Sequence, residues 1–221
     1  MGKRRPNILL MTSDQQHFGT LGVTNERIQT PALDRLCREG VRFNRAYCVN
    51  PVCSPSRSTM ITGLYPAWHH CWTIGVKLPM MVRWPGRVEE GGVSSALQSQ
   101  VDFAPTFLDA AGIRAPGIMQ GVGQLGVWCG EKDAARDHVI VENRHEPTRV
   151  HLRTFIDERY KLTVYRHTDY GEFFDLEQDP GETCNLWDDP EAVETKMRVM
   201  HRFLQAELQR EPTRMPRIAG A

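Results

Sequence analysis

The residues best suited to chemistry sit in Cys53-Ser54-Pro55-Ser56-Arg57. This stretch places a thiol at the start of a predicted helix, where unpaired backbone N–H groups and the helix dipole favour an anion. Arg57 follows four residues later, on the same helix face one turn on. Its guanidinium can pair with an oxyanion or with a group derived from the cysteine. A second candidate is Asp14, followed by Gln15 at the end of the apolar run Ile8 to Met11. In open parallel sheets, ligand chemistry gathers at the carboxyl ends of strands, although taken alone Asp14 is also an ordinary turn residue. The adjacent pair His69-His70 lies just beyond the Cys53 helix, and by itself it reads as structural.

Composition narrows the classes. The chain has 221 residues, 40% hydrophobic, with 27 basic and 27 acidic side chains. Such a chain is not wholly disordered. Its balanced charge argues against nucleic-acid binding or membrane-surface binding through bulk charge, so neither nucleic acid nor membrane is expected as a partner. No apolar run approaches the roughly 20 residues that span a bilayer. The basic N-terminus is followed by an apolar stretch too short for a signal-peptide core, which predicts a cytoplasmic protein. With no secretory signal, the six cysteines read as reduced thiols. They also lack the paired C-x2-C spacing of structural zinc sites.

These residues need elements to hold them. The run Pro6 to Thr12 predicts a strand buried on both faces. Thr30-Pro31 opens a helix closed by Gly40, with Thr30 as cap and Leu33, Leu36 and Cys37 on its apolar face. Val41 to Tyr47 predicts a strand. Cys53 to Gly63 predicts a helix, Pro79 to Trp84 a short strand, and Asp102 the cap of a helix ending at Gly112. Residues 113–130, rich in glycine, read as loop. Four short strands then follow, at His138 to Val141, Val150 to Ile156, Tyr160 to Tyr165 and Glu172 to Asp175, and predict a small antiparallel sheet. The last helix starts at Asp189-Pro190, and its stripe Val193, Met197, Met200, Leu204 and Leu208 is expected in the core. The order of elements indicates an α/β class.

Several segments together resemble the sulfatase family. They are P-N-I-L-L-M-T-S-D-Q, T-P-A-L-D-R-L, G-V-R-F-N-R-A-Y and C-S-P-S-R-S-T-M-I-T-G-L-Y-P, followed in family order by P-M-M-V-R-W-P-G, V-D-F-A-P-T-F-L-D-A-A-G and F-F-D-L-E-Q-D-P-G-E-T-C-N-L. The resemblance covers nearly the whole chain. It implies an alkaline-phosphatase-like parallel or mixed sheet flanked by helices, with a small C-terminal antiparallel sheet and terminal helix. It also implies that Cys53 is oxidised to formylglycine by a dedicated generating machinery. One hydroxyl of the formylglycine hydrate would attack the sulfur of a small-molecule sulfate ester. Asp14, Gln15 and the Cys53 group would contribute to a divalent metal site, usually Ca²⁺, and Arg57 would hold the hydrate. Gln15 stands where many relatives carry a second Asp. This D-Q form resembles the branch that includes phosphonate monoester hydrolases, so phosphate-type esters are an alternative substrate class.

The resemblance also has a gap. Relatives carry a G-K-x-H element after the His69 region and an S-D-H-G or D-N-G element before P-M-M-V-R-W-P-G. Here Trp72-Thr73-Ile74-Gly75-Val76 runs straight into Lys77-Leu78-Pro79-Met80. The break divides the chain into residues 1–76, the N-terminal part of a catalytic domain, and 77–136, its later part, with 137–221 as a C-terminal sheet-and-helix subdomain. Asp137-His138 has the letters of the missing pair but lies after V-D-F-A-P-T, where the family pair lies before it. Ca²⁺ usually takes 6–8 oxygens, so the remaining ligands predict weak metal binding and little turnover. A catalytically inactive deletion product is therefore the competing expectation. Loss of central strands would also expose sheet edges and apolar surface.

Overall fold

Residues 7–13, 16–50, 53–69, 80–145 and 150–210 are described by the structure, a computed structural model. Proline at the first helical position fixes φ where the missing N–H costs nothing, and α1 (Pro31–Glu39) starts there. The expected Thr30 side-chain cap does not form. Its hydroxyl accepts from the Gly22 N–H and donates to Asp34, both at 2.8 Å, tying the preceding loop to the helix. The strand predicted over Val41 to Tyr47 is broken into β1 (Val41–Phe43) and β2 (Ala46–Tyr47). β1 pairs antiparallel with β3 (Met80–Val82) and parallel with β4 (Val93–Ser94), while β2 pairs parallel with β5 (Gln98–Ser99). Two small sheets thus stand in the first part of the fold, one of them mixed.

Two helices follow the Cys53 region, α2 (Cys53–Thr62) and α3 (Pro66–His69). A 3-10 turn over Gln100–Asp102 leads into α4 (Phe103–Ala110). The segment expected as loop contains a single helical turn, α5 (Leu125–Trp128), whose Val127 and Trp128 are buried. One turn is too short for hydrophobic periodicity to register. Gly121 lies so close to the 3-10 turn that a Cβ there would sit 2.0 Å from the Val101 carbonyl oxygen.

The C-terminal part is an antiparallel meander of β6 (His138–His145), β7 (Val150–Asp157), β8 (Tyr160–Tyr165) and β9 (Gly171–Asp175). Its register sets Ile140, Phe155, Leu162 and Phe173 side by side across all four strands. Side chains alternate between faces, so this row shares one face, and it packs with Val199, Phe203 and Ala206 of α6 (Val193–Gln209). Each such burial stabilises by roughly 1.5–3 kcal/mol. The opposite face places Val139, Val141 and Ile156 against Tyr47 and Leu97, joining the meander to β2 and its neighbourhood. Asp189 accepts from the Glu191 N–H and starts the final helical segment.

Two expectations fail. Residues 7–13 form no strand, and Leu9 and Met11 are 80% and 66% exposed. An apolar run becomes a strand only where neighbours take its backbone N–H and C=O groups, and no such ladder forms here among the described residues. The α6 stripe is also displaced. Met197 and Leu204 are 61% and 57% exposed, and Val193 and Leu208 are exposed as well. Of the predicted stripe only Met200 touches the core. The meander row presents aromatic rings, and these select the face carrying Val199, Phe203 and Ala206.

Candidate active site

The helix α2 opens at Cys53, so its N-terminal N–H groups gather around that position. Arg57, one turn later, is exposed. Pro55 falls in the first turn, where no intrahelical donor is lost. Thr59 and Met60 face inward and are buried. The helix stops at Gly63, whose φ of +68° suits glycine and whose N–H returns to the Thr59 carbonyl at 2.8 Å.

Three contacts fix the N-terminal end of α2 in space. Ser56 Oγ donates to Gln100 Oε1 at 2.7 Å, anchoring the first turns of α2 to the 3-10 turn. Just upstream, the Glu142 N–H donates to the Val49 carbonyl at 2.9 Å, and Asn50 Nδ2 donates to the Glu142 carbonyl at 3.1 Å. The Cys53 end is thus held between the Gln100 turn and the middle of β6.

The Gln100 turn is itself locked by a buried polar network. Asp102 accepts from Arg136 Nε at 2.8 Å and Nη2 at 2.5 Å, from Gln124 Nε2 at 2.9 Å, and from the Val122 N–H at 2.8 Å. Gln124 Oε1 receives Gln98 Nε2, and Gln98 Oε1 receives Trp128 Nε1. Asp102 is therefore not the simple helix cap that its position suggests, and no side-chain cap bond forms. Sequence reasoning missed this role, although an Asp preceded by Gln98 and Gln100 at a helix entrance was a usable signal for a buried polar knot.

A second lock lies at the far end of α2. Tyr65 N–H donates to Gln120 Oε1 at 3.0 Å, and Gln120 Nε2 donates to the Arg210 carbonyl at 2.8 Å. The Arg210 guanidinium stacks over the Tyr65 ring at 4.4 Å and donates to Glu142 at 2.7 Å and to Glu207 at 2.6 Å. One end of α6 is thereby fastened both to α2 and to the same Glu142 that supports Asn50.

Of the predicted site residues, Cys53 and Arg57 are brought onto one helix. Asp14, Gln15 and His70 lie outside the described residues, and His69 is the last residue of α3. Among the described residues no three His, Cys, Asp or Glu side chains gather to hold a metal ion. Asp14, Gln15 and the Cys53 group alone do not fit a hard cation needing 6–8 oxygens. Asp137 and His138 pair with each other at 2.7 Å, and the imidazole stacks on Phe155 with ring centroids 5.4 Å apart. Cys37, Cys48, Cys129 and Cys184 form no disulfide. Burial pushes the Cys48 thiol up to about 12, which keeps it protonated and unreactive.

Comparison with known proteins gives two family matches that overlap at residues 69–77. Residues 6–77 match the sulfatase family, and residues 69–210 match the C-terminal family of N-sulphoglucosamine sulphohydrolase. An N-acetylglucosamine-6-O-sulfatase of Bacteroides thetaiotaomicron is 27% identical over 140 residues, covering 60% of this chain and 25% of that protein. The chain thus spans about a quarter of that relative's length. The solved structure of a protein in complex with its substrate D-glucosamine-2-N,6-O-disulfate superposes with a TM-score of 0.57 at 26% identity, covering 61% of this chain and 28% of that one. A phosphonate monoester hydrolase of Silicibacter pomeroyi gives a TM-score of 0.55 at 21% identity, covering 65% and 31%, and shares the fold alone.

Proposed function

The chain belongs to the sulfatase family, and from that premise we propose that it carries the nucleophile-bearing end of a sulfuric ester hydrolase. Its α/β fold is part of the alkaline-phosphatase-like architecture. The observation that carries the reading is the opening of α2 at Cys53, with Arg57 one turn on, inside the matched stretch 6–77. In this reading Cys53 is oxidised to formylglycine, whose hydrate supplies a hydroxyl for attack on sulfur. The N–H groups at the start of α2 and the Arg57 guanidinium face the negative charge that develops there. The names of the relatives point to a sulfated amino sugar as the substrate class.

The metal belongs to the same reading, with Asp14 and Gln15 as oxygen donors and Ca²⁺ as the ion. The donor set is too small for a tight site, so no step is derived through it, and turnover by this chain alone is expected to be very low. An inactive family member is the second reading, favoured by two family matches that overlap at residues 69–77 in a chain spanning a quarter of its relative. Gln15 beside Asp14, with the fold shared by a phosphonate monoester hydrolase, supports phosphate-type esters as the alternative substrate.

The test is mass spectrometry of the Cys53 peptide after coexpression with formylglycine-generating machinery. Loss of the thiol mass in favour of the aldehyde is expected, and an intact thiol would sink the nucleophile assignment. Arylsulfate hydrolysis should be negligible. Turnover that disappears in Cys53→Ala would instead establish a competent enzyme and overturn the expectation of weak activity.

A further inference from the structure

The helix α6 carries an apolar strip that nothing among the described residues covers. Val193, Met197, Leu204 and Leu208 are 48%, 61%, 57% and 51% exposed. At 3.6 residues per turn they fall within an arc of about 60°, so they form one narrow strip. It lies beside the buried face that carries Val199, Phe203 and Ala206. Met200, on the boundary between the two, packs with the meander core. On the other flank stand the exposed polar residues Glu194, Arg198, His201 and Gln205. Single apolar side chains on a surface need no partner, but a continuous strip rimmed by polar residues is the pattern of a contact surface.

The spacing of the strip selects what fits it. Val193 and Met197 are four residues apart, Met197 and Leu204 seven, and Leu204 and Leu208 four. The order four, seven, four reads the same in both directions. A two-fold axis crossing the helix between Met200 and His201 therefore sets Val193 against Leu208 of a second copy, and Met197 against Leu204 of that copy. Val193 to Leu204 and Met197 to Leu208 each span eleven residues, close to three full turns, so the strip runs nearly along the helix axis. Two such helices can lie antiparallel over about 22 Å. The polar residues suit the same register. Lys196 falls opposite Gln205, and Arg198 opposite Phe203. Glu207 falls opposite Glu194, but it is turned inward onto Arg153 and Arg210.

We propose that α6 is the interface of an antiparallel two-fold dimer of this chain, closed by Val193–Leu208 and Met197–Leu204 contacts. A two-fold interface uses the same patch on both subunits, so a self-complementary strip selects a second copy over an unrelated partner. The area sets the strength. A strip of this length, one helix diameter wide, lies at or below the roughly 1,000 Å² that specific interfaces bury in total. The dimer is therefore weak and reversible. The inference depends neither on Cys53 nor on the sulfatase reading.

Analytical ultracentrifugation of the full chain over about 1–300 μM tests the dimer. A reversible monomer–dimer equilibrium is expected, with no larger species, because a two-fold contact closes on itself. Met197→Lys and Leu204→Glu should each weaken it by about ten-fold or more, since an unpaired charge is costly to bury. Both positions are exposed in the single chain, so circular dichroism should show the fold unchanged. Mixing these two variants should restore association, because the introduced charges then lie opposite each other. Leu9→Lys, in the exposed N-terminal run, should leave the equilibrium as it is. A monomer throughout the range, or growth past two copies, would overturn the dimer. Association lost in Leu9→Lys but kept in Met197→Lys would move the contact to residues 7–13 and overturn the role of α6. Association restored by mixing Met197→Lys with Met197→Glu, and not by mixing Met197→Lys with Leu204→Glu, would mean parallel helices and overturn the register.

Discussion

Arg136 donates to both carboxylate oxygens of Asp102, at 2.8 and 2.5 Å, with each side chain less than a tenth exposed. The bond spans the chain between the 3-10 turn beneath α2 and a point two residues before the meander. Arg136 also donates to the His138 carbonyl at 2.9 Å, fixing the start of β6. Removing one partner of a buried pair leaves the other charged and dry, at a cost of about 3–5 kcal/mol. Asp102→Ala and Arg136→Ala should each lower the stability by that order, read from urea unfolding. A double variant no worse than either single one would show that the two act as a unit. Losses below 1 kcal/mol in both would contradict the role given to the pair.

The Ser56–Gln100 hydrogen bond is a smaller anchor with a more local effect. Ser56→Ala removes a donor and should cost about 1 kcal/mol. Gln100→Leu strands the Ser56 hydroxyl in a half-buried site and should cost somewhat more. The coupling in a double-mutant cycle should exceed about 0.5 kcal/mol. Strictly additive losses would mean that the two side chains do not hold α2 together.

Much of this arrangement was legible because it is local. Pro31, Pro55, Gly63 and Pro190 mark helix ends through fixed or positive φ, and the four short runs between His138 and Asp175, each bounded by turn residues, mark the strands of the meander. The Cys53 helix followed from the same local rules. Long-range partners were not legible in that way. Asp102 carries the same letter whether it caps a helix or binds an arginine 34 residues later. The face of α6 that is buried depends on rings contributed by β7 and β9. The run Ile8 to Met11 has every local property of a buried strand, but among the described residues no strand takes its backbone groups, and it is left exposed.

His138 gives the stability a dependence on pH. Burial first, with Arg136 and Arg202 adding to it, holds its pKa below the ordinary 6.5, although the neighbouring Asp137 pulls the other way. The folded protein therefore binds this proton less readily than the unfolded chain does. Its contribution is fully present above about pH 6.5 and is lost as pH falls below that value. His151 is shifted in the same direction and adds to the loss. One such group can contribute at most about 1.4 kcal/mol per pH unit. Urea midpoints should fall between pH 7.5 and 5.5, and the fall should be smaller in His138→Gln. A slope unchanged by that substitution would exclude His138 as the titrating group.

Adjacent residues of α6 separate the observed helix face from the expected one. Phe203 is buried, its ring 5.8 Å from that of Phe155, whereas Leu204 is 57% exposed. Phe203→Ala empties a space between the meander and the helix and should cost about 3–5 kcal/mol. Leu204→Ala removes little buried surface and should stay within about 0.5 kcal/mol. Leu204→Lys and Met197→Lys should keep the fold while reducing the apolar surface that promotes association. Urea unfolding and light scattering of the four variants provide the measurements. A large loss for Leu204→Ala with little for Phe203→Ala would mean that α6 packs on its other face, and the row from Ile140 to Phe173 would then need a different cover.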